Sequence, residues 1–181
     1  MILVTGAAGF IGFHVARALR ARGDAVLGID SLNDYYDPRL KQARLEQFAG
    51  DTGFVFERLD LADRDATLAL FERNRIEAVV HLAAQAGVRY SLTHPHVYVE
   101  ANVAGFLNLL EALRAHPVRH AVYASTSSVY GANTKQPFST ADRVDRPISL
   151  YAATKRANEL MAYVYALQFG VPLTEIGRAH V

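Results

Sequence analysis

The stretch Val4-Thr5-Gly6-Ala7-Ala8-Gly9-Phe10-Ile11-Gly12 limits what this chain can fold into more than any other part of it. An apolar run at residues 2–4 leads into three glycines spaced three apart. A helical pattern over residues 12–22 follows, with Val15, Ala18 and Leu19 on one side. A second apolar run, residues 25–29, ends on an acid, Asp30. Strand, glycine turn, helix, strand and acid in that order open a dinucleotide-binding βαβ unit. Gly6 permits the tight turn, Gly9 lets backbone approach a pyrophosphate, and Gly12 lets the helix pack closely. Phe10 and Ile11, between the second and third glycines, are expected at the cofactor, and the free N–H groups and positive dipole end of the helix suit phosphates. Asp30 stands 24 residues after Gly6, where a carboxylate accepts hydrogen bonds from ribose hydroxyls and repels a 2′-phosphate. No Lys or Arg occurs at positions 31–33, so NAD is expected rather than NADP.

The alternation continues. Apolar runs at 54–56, 78–82, 120–124 and 171–174 alternate with helical patterns over 39–48, 63–74, 97–115 and 150–169. Strands apolar on both faces, separated by helices, imply a doubly wound parallel α/β sheet, an NAD-binding Rossmann fold. The 181 residues suit one domain, or one domain with a fragment of a second. Half the residues are hydrophobic, as in a globular chain. The formal net charge of +1 gives no electrostatic reason to bind nucleic acid or an anionic membrane. Cysteine is absent, which excludes disulfides and thiolate metal sites, and no His/Asp/Glu group has metal-ligand spacing. No metal is expected. No apolar run approaches the ~18 residues of a membrane span. The N-terminus enters the first strand with no basic segment before it, so a cytoplasmic protein is expected.

Two further features carry chemistry. Tyr151 and Lys155, four apart on a predicted helix, share a face. A free phenol titrates near ~10 and is a poor base at neutral pH. A nearby ammonium, and the positive nicotinamide ring, favour the phenolate, which can accept a proton as hydride leaves the same carbon. The second feature is Ser125-Thr126-Ser127-Ser128, four adjacent hydroxyls immediately after the fifth apolar run.

The spacing Gly-x-x-Gly-x-x-Gly resembles that of the short-chain dehydrogenase/reductase superfamily, and more closely its extended, sugar-nucleotide-modifying branch. Asp60-Leu61 resembles the pair that brackets adenine. Leu82, Ala83 and Ala84 in "HLAA" resemble the segment lying along the cofactor, and Asn102 in "NVAGFLNLLEA" matches the asparagine of the following helix. The resemblance further implies that Lys155 holds the nicotinamide ribose. It also puts the third catalytic hydroxyl 25 residues before the tyrosine, at Thr126, to hydrogen-bond the reacting sugar oxygen. Ser125 is expected at the strand end or the cofactor. Ser127 and Ser128 stand where the resembling 4,6-dehydratases carry Asp and Glu, and where UDP-glucuronic acid decarboxylases usually carry a Glu at the second position. Without a carboxylate there, hydride is expected to leave and return at one carbon, which is epimerisation.

"IDSLNDYYDPRLKQARL", "AAQAGVRYS" and "SLYAATKRANELM" together resemble the UDP-glucuronic acid 4-epimerases. The resemblance implies a UDP-sugar substrate, with Arg89 contacting a uronate carboxylate or pyrophosphate and Ser91 nearby, and Ser127, Ser128 and Tyr151 beside the sugar. A solvated loop arginine and a surface aromatic loop are the alternatives for Arg89 and NDYYD. His14, His94 and His96 are read as non-catalytic. A homodimer through the helices at 97–115 and 150–169 is expected. Neutral UDP-hexose or N-acetylhexosamine epimerases, other epimerase/dehydratases, and a non-catalytic NAD-binding protein are the alternatives.

The resemblance runs to about Thr174. The final stretch, Glu-Ile-Gly-Arg-Ala-His-Val at 175–181, departs from it and can be encoded by GAG ATC GGA AGA GCA CAC GTC, the start of a common sequencing adapter. Residues 1–174 are therefore read as the cofactor domain and 175–181 as a non-native tail. The smaller C-terminal substrate domain is expected to be missing, leaving an inactive or weakly active fragment.

Overall fold

The computed structural model describes residues 1–177. Six strands, β1 (Ile2–Thr5), β2 (Val26–Asp30), β3 (Phe54–Arg58), β4 (Ala78–His81), β5 (His120–Ala124) and β6 (Leu173–Ile176), form one sheet in the order β3-β2-β1-β4-β5-β6. Every pairing is parallel. The strands are short and apolar because both faces are covered: Val4 and Val26 pack with Phe13 and Ala16 of α1 (Phe10–Ala21) on one side. Leu3, Leu27 and Val79 pack on the other side against helices α3 (Arg64–Arg73), α6 (Gly105–Ala115) and α7 (Leu150–Phe169), which contribute Leu70, Leu110 and Ala162. Each of the Val, Leu and Phe side chains contributes roughly 1.5–3 kcal/mol by leaving water.

Helix ends follow their local chemistry. The Asp37 carboxylate accepts from the Arg39 amide (3.0 Å) and Pro38 opens α2 (Pro38–Glu46). Asp63 caps α3 by accepting from the Ala66 amide (3.0 Å), and Ser149 caps α7 through the Ala152 amide (3.1 Å). Gly170, at φ 67°, ends α7 in the left-handed conformation.

The helix expected over 97–115 is not a single regular one. Short helices α4 (Tyr90–Thr93) and α5 (Pro95–Tyr98) precede a π-helical turn at Val99–Ala104, which runs into α6. Asn102 sits in that widened turn, and its carbonyl accepts from Asn158 Nδ2 of α7 (2.6 Å). β6 continues through Glu175 and Ile176. Residues 178–181 of the expected tail lie outside the described residues. No helix among the described residues is long and apolar enough to cross a membrane.

The strand order reverses between β1 and β4, whose connections leave to opposite sides. A crevice opens there at the carboxyl ends of the strands, the place where open α/β sheets receive ligands. The rest of the site is arranged around it.

Candidate functional site

The glycine loop forms the floor of this crevice by packing backbone on backbone. A Cβ at Gly12 would lie 2.0 Å from the Gly6 carbonyl oxygen, and one at Gly6 would lie 2.9 Å from the Ala83 nitrogen. Gly6 also has φ 70°, a left-handed conformation that other residues rarely adopt. Gly9 caps α1 without a side chain, so the first amides of the helix are left for a ligand. Phe10 and Ile11 line the cleft and are exposed, Phe10 by 67%. From α2, Arg44 donates to the Ala8 carbonyl (3.1 Å) and to the Tyr36 hydroxyl (3.2 Å), buttressing the loop.

The cleft, about 360 Å³, runs from the glycine loop past Asp30, Asp60 and Leu61 to residues 82–86. Asp30 is buried, and its Oδ1 accepts from the Leu32 amide (2.8 Å) and from Lys41 Nζ (3.1 Å). Lys41 also donates to Asn33 Oδ1 (2.9 Å) and stands 5.2 Å from the centre of the Tyr36 ring. The basic group absent from positions 31–33 thus arrives from α2. Lys41 lines the cleft. Its only sequence signal is its position in NDYYDPRLK, a few residues into a Pro-initiated helix. Asp60 holds its own turn by accepting from the Ala62 amide (2.9 Å). The glycine floor, the open helix amides and the buried acid suit the pyrophosphate and ribose of a dinucleotide.

On the β4 side, Thr5 Oγ1 accepts from the Leu82 amide (3.1 Å) and the Ala83 amide (3.0 Å). Its lone pairs are used, so its proton goes to His81 Nδ1, 2.8 Å away. His81 is therefore the neutral Nε2–H tautomer. Burial, and secondarily the Lys155 charge, push it down to about 3. This Thr5–His81 pair fixes the segment beneath the cofactor cleft, and sequence reasoning missed it.

Two expectations change in detail. Asn102, expected at the cofactor, spends its side chain on backbone: Oδ1 accepts from the Gln85 amide (2.8 Å), and Nδ2 donates to the Gln85 carbonyl (3.0 Å) and to Thr154 Oγ1 (3.1 Å). It positions the loop after β4 rather than facing the cleft. Ser91, expected at substrate, is 1% exposed and donates to the Val88 carbonyl (2.6 Å), so its hydroxyl is turned inward. Ser125 stands at the end of β5, one of the two places expected for it, and is buried and donates to Glu159 Oε1 (2.6 Å). Arg89 is exposed just before α4.

At the far end of the cleft, β5 stops at Ala124 and Thr126 caps a 3₁₀ turn, Ser127–Tyr130. Thr126 Oγ1 accepts from the Ser128 amide (3.2 Å) and donates to Ser128 Oγ (3.3 Å). Tyr151 and Lys155 come from the first turns of α7. The Tyr151 ring meets the buried Tyr98 ring edge-on at 6.2 Å. Burial raises the Tyr151 phenol, and its hydrogen bond with Thr126 works in the opposite direction. Burial lowers Lys155 to about 8, opposed by the charges of Glu159 and Glu175. Lys155 does not lower the tyrosine as expected from the sequence: in the protein alone, desolvation governs the phenol. The Thr126 hydroxyl lies near the Tyr151 phenol, and Lys155 follows one turn further along α7. Among the described residues no group of three or more His, Asp or Glu could hold a metal ion.

Comparison with known proteins matches residues 2–179 to the NAD dependent epimerase/dehydratase family. The chain is 54% identical over 174 residues to UDP-glucuronate 4-epimerase 3 of Arabidopsis thaliana, covering 96% of this chain and 40% of the plant protein. It superposes on UDP-glucuronic acid 4-epimerase from Bacillus cereus, solved with UDP-glucuronic acid and NAD, with a TM-score of 0.88 and 34% identity. That match covers 97% of this chain and 55% of the other. The UDP-glucose 4-epimerase of Thermus thermophilus, solved with NAD, gives a TM-score of 0.84 at 36% identity, covering 97% and 54%. The chain spans about half the length of the curated relatives it matches.

Proposed function

The chain belongs to the NAD-dependent epimerase/dehydratase family, and from that premise we propose that it forms the cofactor half of a 4-epimerase interconverting UDP-glucuronate and UDP-galacturonate. The observation that carries this reading is the nearness of Thr126 to Tyr151, whose phenol the hydroxyl lowers, beside a turn that presents serines, not carboxylates, at 127 and 128. Bound at the glycine loop, NAD supplies the acceptor and later the donor of the C4 hydride. Tyr151, as phenolate, takes the proton of the C4 hydroxyl. Thr126 donates to the same oxygen and stabilises charge there. Lys155, as ammonium, holds ribose hydroxyls. The 4-keto sugar turns over, Tyr151 returns the proton, and the opposite configuration results. With hydroxyls at 127 and 128, nothing on this turn acts as the acid or base that loss of water or carbon dioxide would need. The curated plant relative and the Bacillus cereus structure support the uronate substrate.

Asp30 and Lys41 together would bracket the adenosine ribose. Arg89 would meet the uronate carboxylate or the pyrophosphate. A two-fold pairing of α6 and α7 would cover Leu107, Leu160, Tyr163, Val164 and Leu167, all exposed in the single chain. Sedimentation of the full-length protein as a stable monomer would count against that dimer.

The test is chromatography of UDP-glucuronate incubated with NAD and the full-length protein that contains this chain. UDP-galacturonate is the expected product; a UDP-pentose or a stable 4-keto-6-deoxy sugar would overturn the reading. The likeness to the Thermus thermophilus enzyme favours a second reading, a neutral UDP-hexose substrate. Conversion of UDP-glucose without conversion of UDP-glucuronate would establish it.

A further inference from the structure

Glu159 lies on α7 one turn beyond Lys155 and is 5% exposed. A carboxylate this deep needs partners, and it has two. Oε1 accepts from Ser125 Oγ at 2.6 Å, and Oε2 accepts from Arg156 Nη1 at 2.6 Å. Both are short, charge-assisted bonds, stronger than neutral ones. Ser125 is the residue just before Thr126, and its amide donates to the Ile176 carbonyl of β6 (2.7 Å). The Ser125–Glu159 bond is therefore a direct side-chain tie between the hydroxyl turn after β5 and the helix that carries Tyr151 and Lys155.

We propose that Glu159 is a positioning residue of the reaction site: through Ser125 it sets the Thr126 turn against α7, and through its charge it supplies a counter-ion to the buried Lys155 ammonium. This rests on the catalytic roles given above to Thr126, Tyr151 and Lys155. The charged and titratable groups around Lys155 are Tyr151 and Glu159 on α7, His81 on β4 and Glu175 on β6, with Tyr123 of β5 donating to Glu175 (3.4 Å). Arg156 faces Glu159 from the partly exposed side of the helix. His81 is neutral and contributes no charge near pH 7. Glu159 and Glu175 are thus the anions acting on Lys155, and Glu159 is the one that also grips the hydroxyl turn. The turn and the helix come from segments 34 residues apart in sequence. Apart from the contact of Thr126 with Tyr151, this tie is the polar side-chain link that sets the hydroxyl against the phenol.

The two roles separate in two substitutions. Glu159→Gln keeps an oxygen for Ser125 and removes the charge. Ser125→Ala keeps the charge and removes the bond. The measurement is made on this chain without cofactor or substrate, so it stands or falls independently of which sugar is processed. The Lys155 side-chain titration is followed by carbon NMR at Cε. Glu159→Gln should weaken proton binding by about threefold or more. Arg156→Gln, a change at a partly exposed position that leaves Glu159 uncompensated, should strengthen it. Ser125→Ala should leave the titration midpoint in place while speeding hydrogen exchange of the Ser128 amide by about tenfold. An unmoved Lys155 midpoint in Glu159→Gln, or a lowered or unmoved one in Arg156→Gln, would overturn the counter-ion role. Unaltered Ser128 exchange in Ser125→Ala would overturn the tie. Should Glu159→Gln fail to fold, Arg156→Gln and Ser125→Ala decide the two roles between them.

Discussion

At the glycine end of the cleft, backbone lies against backbone: Gly12 against Gly6 and Gly6 against Ala83, with distances that leave no room for a methyl group. At the tyrosine end, side chains meet side chains: Thr126 with Ser128 and Tyr151, and Ser125 with Glu159. The first arrangement recognises a cofactor by shape and by main-chain N–H groups, and it tolerates almost no change. The second sets proton affinities through its side chains. The exposure differs in the same direction. Ala7 and Ala8 are fully buried, whereas Thr126, Ser127, Ser128 and Tyr151 remain partly open and α7 presents Leu160, Tyr163 and Leu167 to solvent. The glycine end is closed by its own backbone, and the tyrosine end carries its side chains on a partly open surface.

The contrast is sharpest in Tyr151→Phe. Removing the proton acceptor should cut turnover of the full-length enzyme by about 10²–10⁴-fold while leaving NAD affinity within error, as judged by initial rates and calorimetry. Comparable loss of NAD binding would mean that the two ends are not separable. Next in size is Gly12→Ala at the other end. Its Cβ would meet the Gly6 oxygen, and strain of that kind should cost ~3 kcal/mol, read by chemical denaturation of this chain. A stability within roughly 0.5 kcal/mol of the parent, the margin expected for an innocuous surface change, would show that the loop yields.

Much of this contrast is legible in the sequence, for a physical reason. The glycine spacing, Asp30 and the Tyr151/Lys155 pair depend on contacts within one turn or one βαβ unit, which short-range patterns encode. Lys41 beside Asp30, Thr5 beneath Leu82 and Ala83, and Glu159 on Ser125 depend on which segments the sheet brings together, and no local pattern reports that. Asn102 and Ser91 look like ligand-binding side chains by type. Their surroundings turn both inward, because the loop after β4 has backbone groups that must be satisfied. The π-helical turn at Val99–Ala104 is likewise invisible to a count of helical spacing.

Thr126→Ala removes one hydrogen bond and not the base. It should therefore be milder than Tyr151→Phe, ~1–3 kcal/mol or about 5- to 150-fold in kcat/KM. An effect equal to that of Tyr151→Phe would make Thr126 the proton acceptor and reverse the assignment. The remaining effect is graded by pH and concerns His81, at the end of β4. Its folded value of about 3 lies below the ordinary 6.5, so between those limits the unfolded chain binds the extra proton. Stability should fall as pH drops from about 6.5 towards 3, by at most about 1.4 kcal/mol per pH unit from this one group. His81→Asn, which keeps an acceptor for Thr5, should flatten that slope in denaturation curves across the window. An unchanged slope would place the acid sensitivity elsewhere.

In the proposed epimerisation, hydride leaves and returns at a single carbon while Tyr151 handles the proton. UDP-glucuronate carrying deuterium at C4 tests it most directly, with the full-length enzyme and the UDP-galacturonate product read by mass spectrometry and NMR. The expected result is deuterium retained at C4 of the product, with none appearing in water. Loss of the label to solvent, or its migration to another carbon, would contradict the account.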